Sequence, residues 1–343
     1  MSDDERLMRI ALGEARKALG QTSPNPVVGA LLVANNRIIA RGHHRQAGKP
    51  HAEVECLENV RGMIPKGSTL YVTLEPCSTK GRTGACTDEI IRAGIKSVVI
   101  GATDPNPRHR GAGIELLANA GIEVRTGVLA EECAALNEAF NKWIATGIPF
   151  VIAKCGMSLD GRLTRREKES HWITSATARR HAQKLRAQVD AILVGAETIR
   201  IDNPRLTARA ASKIQQPTRV VITRSGKLPR TARVFTDRLA KSTRVFRNET
   251  LPTVLAKLGS KNIITVMIEG GGDVLGQALD ERLIDKIQIY VAPMLTGGAV
   301  LAFAGRGAIR TNEAAHLERV KFEKISTDLC ITGYPKYGVA ATA

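Results

Sequence analysis

Two stretches, His51-Ala52-Glu53 and Glu75-Pro76-Cys77-Ser78-Thr79-Lys80-Gly81-Arg82-Thr83-Gly84-Ala85-Cys86, decide how the N-terminal half of the chain is read. One imidazole and two thiolates suit Zn²⁺, and a tetrahedral zinc held by three protein groups keeps its fourth position for water. That is the pattern of a catalytic metal. A structural zinc, the competing reading, takes four protein ligands, and no further Cys or His stands at convincing spacing. Pro50 marks the start of a helix whose inward face is Val54 and Leu57, so His51 and Glu53 fall in its first turn. Two positions apart, they point in different directions, and Glu53 can reach past the metal toward water and substrate. His43, His44 and His109 lack such company and are read as structural.

Zinc deaminases carry the signature H-x-E…P-C-x-x-C, in which the Glu moves protons and does not bind metal. The first half matches. The second departs, because eight residues separate Cys77 from Cys86 where two would be standard. Gly81 and Gly84 permit the tight turns that return both thiolates to one ion. Lys80 and Arg82 add charge suited to an anionic substrate.

Outward from these motifs, apolar spacing predicts a helix over 4–19 closed by Gly20, then strands over 27–33 and 37–41. A strand over 69–74 delivers Cys77, and Cys86-Thr87-Asp88 opens a helix whose free amides favour a thiolate. A strand over 96–101, a helix over 113–119, a strand over 122–125 and one long helix over 130–145 follow. Strands alternating with helices give a three-layer α/β sandwich. Asn25, in Pro24-Asn25-Pro26, either closes an ordinary Asx turn or offers its amide to a heterocycle edge. Asp104-Pro105-Asn106-Pro107 either lines the same pocket or is a plain loop.

At 343 residues the chain has room for two cores. Its net charge of +17 raises nucleic acid as a partner, but aromatic residues are only 3% and no basic run reaches five residues. Phosphorylated small molecules explain the charge more simply. The acidic start, Met1-Ser2-Asp3-Asp4-Glu5, has no apolar leader, and no run approaches the ~18 apolar residues of a membrane span. A cytoplasmic protein with no membrane contact is expected. Cys56, Cys133, Cys155 and Cys330 are read as small buried residues.

Gly147-Ile148-Pro149 is the best boundary, giving units 1–147 and 148–343. In the second unit strands are expected over 150–155, 190–194, 218–223, 262–268, 284–291 and 321–331, with helices over 176–188 and 251–258. Glu269-Gly270-Gly271-Gly272 lies between a strand and a helix. It is either a phosphate cradle or a tight connection, and it is not the G-x-G-x-x-G of a Rossmann site.

Pro24-Asn25-Pro26-Val27-Val28-Gly29, His51-Ala52-Glu53-Val54 and the block from Thr73 to Cys86 resemble the deaminase half of the bifunctional riboflavin-biosynthesis deaminase/reductases. Gly156-Met157-Ser158-Leu159-Asp160-Gly161-Arg162, Ser170-His171-Trp172-Ile173-Thr174 and the stretch from Gly195 to Pro204 resemble the reductase half. The two occur in the family's order and span nearly the whole chain. Thr79 and Gly84-Ala85 depart from the family, where histidine and prolines are common.

The resemblance implies a cytidine-deaminase-like sandwich followed by a dihydrofolate-reductase-like domain. Residues 1–147 would be a zinc-dependent pyrimidine deaminase, with one Zn²⁺ per chain on His51, Cys77 and Cys86, Glu53 as catalytic acid and base, and Asn25 on the substrate. Residues 148–343 would be an NADPH-dependent reductase. Gly156, Trp172, Thr198, Asp202 and Gly271, Gly272, Asp273, Val274, Leu275, Gly276 and Gln277 fall where the cofactor binds. Ser170, Arg186, Leu206, Arg209 and Glu269 fall where substrate binds. Judged apart from the family, Arg186 could be a solvated helix charge and Trp172 a core aromatic. The implied reactions are deamination of 2,5-diamino-6-ribosylamino-4(3H)-pyrimidinone 5′-phosphate, with zinc activating water as hydroxide, and NADPH reduction to 5-amino-6-(5-phospho-ribitylamino)uracil. The resemblance also implies a homo-oligomer, a dimer or tetramer, and a phosphorylated pyrimidine as partner in place of nucleic acid.

Overall fold

A computed structural model describes residues 2–79, 84–107, 109–163, 172–209 and 215–338. The chain divides into two compact units, residues 1–147 and 148–343.

The first unit runs α1 (Asp3–Arg16), β1 (Gly29–Ala34), β2 (Arg37–His43), α2 (Ala52–Glu58), β3 (Thr69–Leu74), α3 (Cys86–Arg92), β4 (Ser97–Ala102), α4 (Ala112–Asn119), β5 (Glu123–Thr126), α5 (Ala130–Leu136) and α6 (Glu138–Thr146). Its sheet has the order β2-β1-β3-β4-β5, with β1 antiparallel to both neighbours and β3, β4 and β5 parallel. Adjacent strand residues face opposite sides, and the glycines show which helix covers which face. A Cβ at Gly29 would strike the backbone of α1, and one at Gly101 the Cys133 side chain of α5. A Cβ at Gly42, opposite Ala30, would strike α2. Helices therefore cover both faces, as the three-layer reading requires, and the core between them is built on Leu12, Leu31, Leu70, Ile100 and Leu117.

Two expectations need correction here. The first helix ends at Arg16, and residues 17–20 tighten into three-residue turns before Gly20 at φ +75°. The long helix over 130–145 is two helices broken at Asn137. That side chain is buried and leaves the helical pattern to pair with Val27, accepting from its N–H at 2.8 Å and donating to its carbonyl at 2.9 Å. Two bonds to an otherwise unpaired buried backbone outweigh one helical turn.

The second unit runs β6 (Phe150–Ser158), α7 (Ala176–Arg186), β7 (Ala191–Gly195), α8 (Ala196–Asp202), β8 (Thr218–Thr223), α9 (Arg233–Thr236), β9 (Thr243–Arg247), α10 (Leu251–Gly259), β10 (Thr265–Ile268), α11 (Gly272–Asp280), β11 (Lys286–Ala292), β12 (His316–Ile325) and β13 (Asp328–Lys336). Its eight strands lie in the order β12-β13-β11-β6-β10-β7-β8-β9. The six from β11 to β9 are parallel, and β13 and β12 add an antiparallel hairpin. The single strand expected over 321–331 is that hairpin, turning at Ser326-Thr327 with Ile325 opposite Asp328. β12 is exposed along most of its length, so it carries no apolar alternation to mark it. The short helices α8 and α9 and the polar edge strand β9 were not anticipated either, since none is long or periodic enough to announce itself.

Candidate active sites

The first site is assembled at the ends of three elements. His51 caps α2, Cys77 follows β3 across Glu75-Pro76, and Cys86 is the first residue of α3. The ligand atoms of the three lie within 4.8 Å of one another. His51 Nδ1 stands 3.2 Å from Cys86 Sγ and 3.5 Å from Cys77 Sγ, and the Cys86 N–H donates to Cys77 Sγ at 3.4 Å. Hydrogen bonding from Cys86 is the main force holding the Cys77 thiol down to about 4, and the same bond, with burial, drives Cys86 far upward. A nitrogen and two sulfurs converging beside an acid is a donor set that fits zinc.

Glu53 is 3% exposed, and its burial pushes the carboxyl up to about 7. His44, read from sequence as structural, is part of the site's wall. It is buried, its ring stands edge-on to His51 with centroids 5.2 Å apart, and its Nε2 meets the Asn25 amide at 3.1 Å. Only the return of the Asn25 turn onto the start of α2 shows this, and spacing gave no signal of it. Asp104 is also close: burial raises its carboxyl, and Glu75 and the Cys77 thiolate add to the rise. Lys80 and Arg82 lie outside the described residues. Cys56, Cys133, Cys155 and Cys330 are all buried, and burial pushes the first three thiols up to about 12.

The second unit gathers charge around Glu269, just past β10. The Lys154 ammonium donates to Glu269 Oε1 at 3.0 Å, and the Arg186 guanidinium grips Oε2 through Nε at 2.9 Å and Nη2 at 2.6 Å. Burial alone would raise the Glu269 carboxyl, but these two cations override it and hold it at about 2. Arg186 also donates to the Thr207 carbonyl at 3.1 Å, so three of its five N–H groups are already used. Arg186 therefore serves Glu269 first and is not a solvated helix charge. Arg209 is exposed and Leu206 buried at φ +49°, while Ser170 lies outside the described residues.

At the glycine turn Gly271 caps α11, and the Thr198 hydroxyl faces it: a Cβ at Gly271 would lie 3.5 Å from Oγ1. That hydroxyl is buried without a hydrogen-bond partner among the described residues, which suits a polar ligand entering there. Val274 and Leu275 turn their side chains into the core, and Gly276 packs against the backbone of Ala304 and Gly305. At most the backbone of these three can meet a ligand. Gln277 is occupied with Glu281 at 2.8 Å, and Asp273 is exposed. Trp172 is 63% exposed, not a core aromatic, with the Arg179 guanidinium 4.5 Å from its ring centre. Gly156 lies against the Thr174 side chain, and Asp202 closes α8.

A sandwich with an N/S/S cluster and a buried carboxylate, joined in one chain to a mostly parallel sheet with a glycine turn, defines a zinc deaminase fused to a reductase. Residues 1–102 match the cytidine and deoxycytidylate deaminase zinc-binding region, and residues 149–331 match the RibD C-terminal domain. The riboflavin biosynthesis protein RibD of Bacillus amyloliquefaciens is 38% identical, covering 98% of this chain and 97% of that protein. The RibD of Escherichia coli is 35% identical over 96% and 98%. Among solved structures, Acinetobacter baumannii RibD has a TM-score of 0.89 at 34% identity, covering 97% of this chain and 99% of that one. A diaminohydroxyphosphoribosylaminopyrimidine deaminase/5-amino-6-(5-phosphoribosylamino)uracil reductase from Thermotoga maritima has 0.86 at the same identity and coverage. The chain belongs to the RibD family of bifunctional riboflavin-biosynthesis deaminase/reductases. No helix among the described residues is long and apolar enough to cross a membrane.

Proposed function

We propose that the first unit deaminates 2,5-diamino-6-ribosylamino-4(3H)-pyrimidinone 5′-phosphate and that the second reduces the product's ribosyl group with NADPH. The observation that carries this reading is the convergence of His51, Cys77 and Cys86 beside a buried Glu53. Those three residues would hold one Zn²⁺ per chain. When bound, the ion lowers the pKa of water toward ~7. Glu53 would carry both protons of that water in turn, one to the ring nitrogen and one to the departing amine, so that water oxygen replaces nitrogen on the ring and ammonia leaves. A carboxyl poised near neutrality suits both halves of that task. Asn25, held by His44 at 3.1 Å, would bind the pyrimidine edge.

In the second unit NADPH, when bound, would supply the hydride for reduction at C1′ of the ribose. Thr198 and the backbone at Gly271 and Gly272, at the N-terminus of α11, would hold the cofactor, with Trp172 against it. Glu269, fixed by Lys154 and Arg186, would accept hydrogen bonds from the pyrimidine, and the exposed Arg209 would meet its phosphate.

Glu53→Ala should lower ammonia release by at least ~10²-fold, the usual worth of a general acid and base. Bound zinc and reduction of the pre-deaminated substrate should persist. Loss of both activities together would sink the assignment of separate sites.

A further inference from the structure

Glu75 stands two residues before Cys77, is 5% exposed, and takes no part in the chemistry described above. Among the described residues its carboxylate accepts from backbone N–H groups. Oε2 accepts from the N–H groups of Asp104 at 3.0 Å and Gly111 at 3.1 Å, and Oε1 accepts from that of Gly113 at 3.0 Å. Its own N–H donates to the Ala102 carbonyl at 2.9 Å, which ties the exits of β3 and β4 together. Three amides from one segment on one buried carboxylate make a charge-assisted clasp.

The clasp joins two parts of the first site. On one side Pro76 and Cys77 follow directly, and the Cys77 carbonyl accepts from the Thr87 N–H at 3.2 Å, one residue beyond Cys86. On the other side are Asp104 and Gly111, whose N–H groups the same carboxylate oxygen holds at 3.0 and 3.1 Å. The approach is tight. A Cβ at Gly113 would fall 2.2 Å from the Pro76 carbonyl oxygen, so the backbone there comes to Pro76 only because that residue is glycine.

We infer that Glu75 is a positioning residue for deamination, whose carboxylate sets Asp104, Gly111 and Gly113 against the exit that carries Cys77 and so shapes the substrate side of the site. The inference rests on the deaminase reading above. A glutamine is the right size but cannot do the work, because its –NH₂ end has no lone pair to offer. In Glu75→Gln either the Gly113 amide or the Asp104 and Gly111 amides would face a donor.

The test uses the full zinc-loaded chain in a wild-type control and in Glu75→Gln. The control must release ammonia from the pyrimidine phosphate; if it does not, the deaminase reading fails and Glu75 is not at issue. Given an active control, the variant should show kcat/KM for deamination reduced about tenfold or more, carried by KM, with zinc content and reductase activity unchanged. Deamination within twofold of wild type, or a loss that follows zinc loss, would overturn the inference. A second arm does not depend on the variant folding. In the wild-type chain the Asp104, Gly111 and Gly113 amides should resist hydrogen exchange although they lie outside strands, and rapid exchange at all three would overturn the clasp.

Discussion

Glu269 carries opposing demands in one side chain. It is buried, yet two cations keep it ionised, which makes its charge a source of stability. A carboxyl whose folded value lies below its unfolded one stabilises fully above the unfolded pKa and loses that contribution as pH falls through the folded one. Here the window runs from about 4.5 down to about 2. Across it the second unit should lose roughly 3 kcal/mol. Glu269→Gln should flatten that stretch of the profile and cost about 3 kcal/mol at neutral pH, because Lys154 and Arg186 lose their counter-charge. Urea unfolding followed by Trp172 fluorescence in a Trp143→Phe background measures both. At this scale the sequence showed Glu53, His51, Cys77 and Cys86 clearly, because their chemistry is rare and their spacing meaningful. It hid His44 and the sharing of Arg186 and Lys154 by Glu269, because those depend on which residues meet across 19, 83 and 115 positions of chain.

Among the elements, the break between α5 and α6 shows a side chain overruling a periodic pattern. Asn137 satisfies both polar groups of Val27, and an apolar replacement would leave that buried N–H and carbonyl unpaired. Asn137→Ala should therefore destabilise the first unit by about 3 kcal/mol, each orphaned group costing about 1–3. Chemical denaturation monitored at Trp143 in a Trp172→Phe background would show it, and a change under ~0.5 kcal/mol would mean that water replaces the asparagine. Strands buried along most of their length, such as β3 and β8, fell where apolar and β-branched runs placed them. Edge elements with little to bury mark themselves poorly, so the sheet of the second unit was legible at its centre, blank at β9, and read as one strand where β12 and β13 form a hairpin.

At the scale of the whole chain, an N/S/S cluster in one unit and a cluster of charges around Glu269 in the other give the two reactions separate requirements. The order of the motifs and their likeness to one family made the two-part organisation readable before any coordinates. What sequence could not supply was the convergence itself, since 35 residues separate His51 from Cys86 and only the ends of α2, β3 and α3 bring them to one point. That convergence on a metal is the central claim. The most direct test is metal analysis with zinc X-ray absorption on the purified chain, alongside Cys77→Ser and Cys86→Ser. The structure predicts one zinc per chain, coordinated by two sulfurs, one nitrogen and one lighter oxygen donor, and its loss in either variant. A chain that binds no zinc, or that keeps it in either variant, would contradict the account.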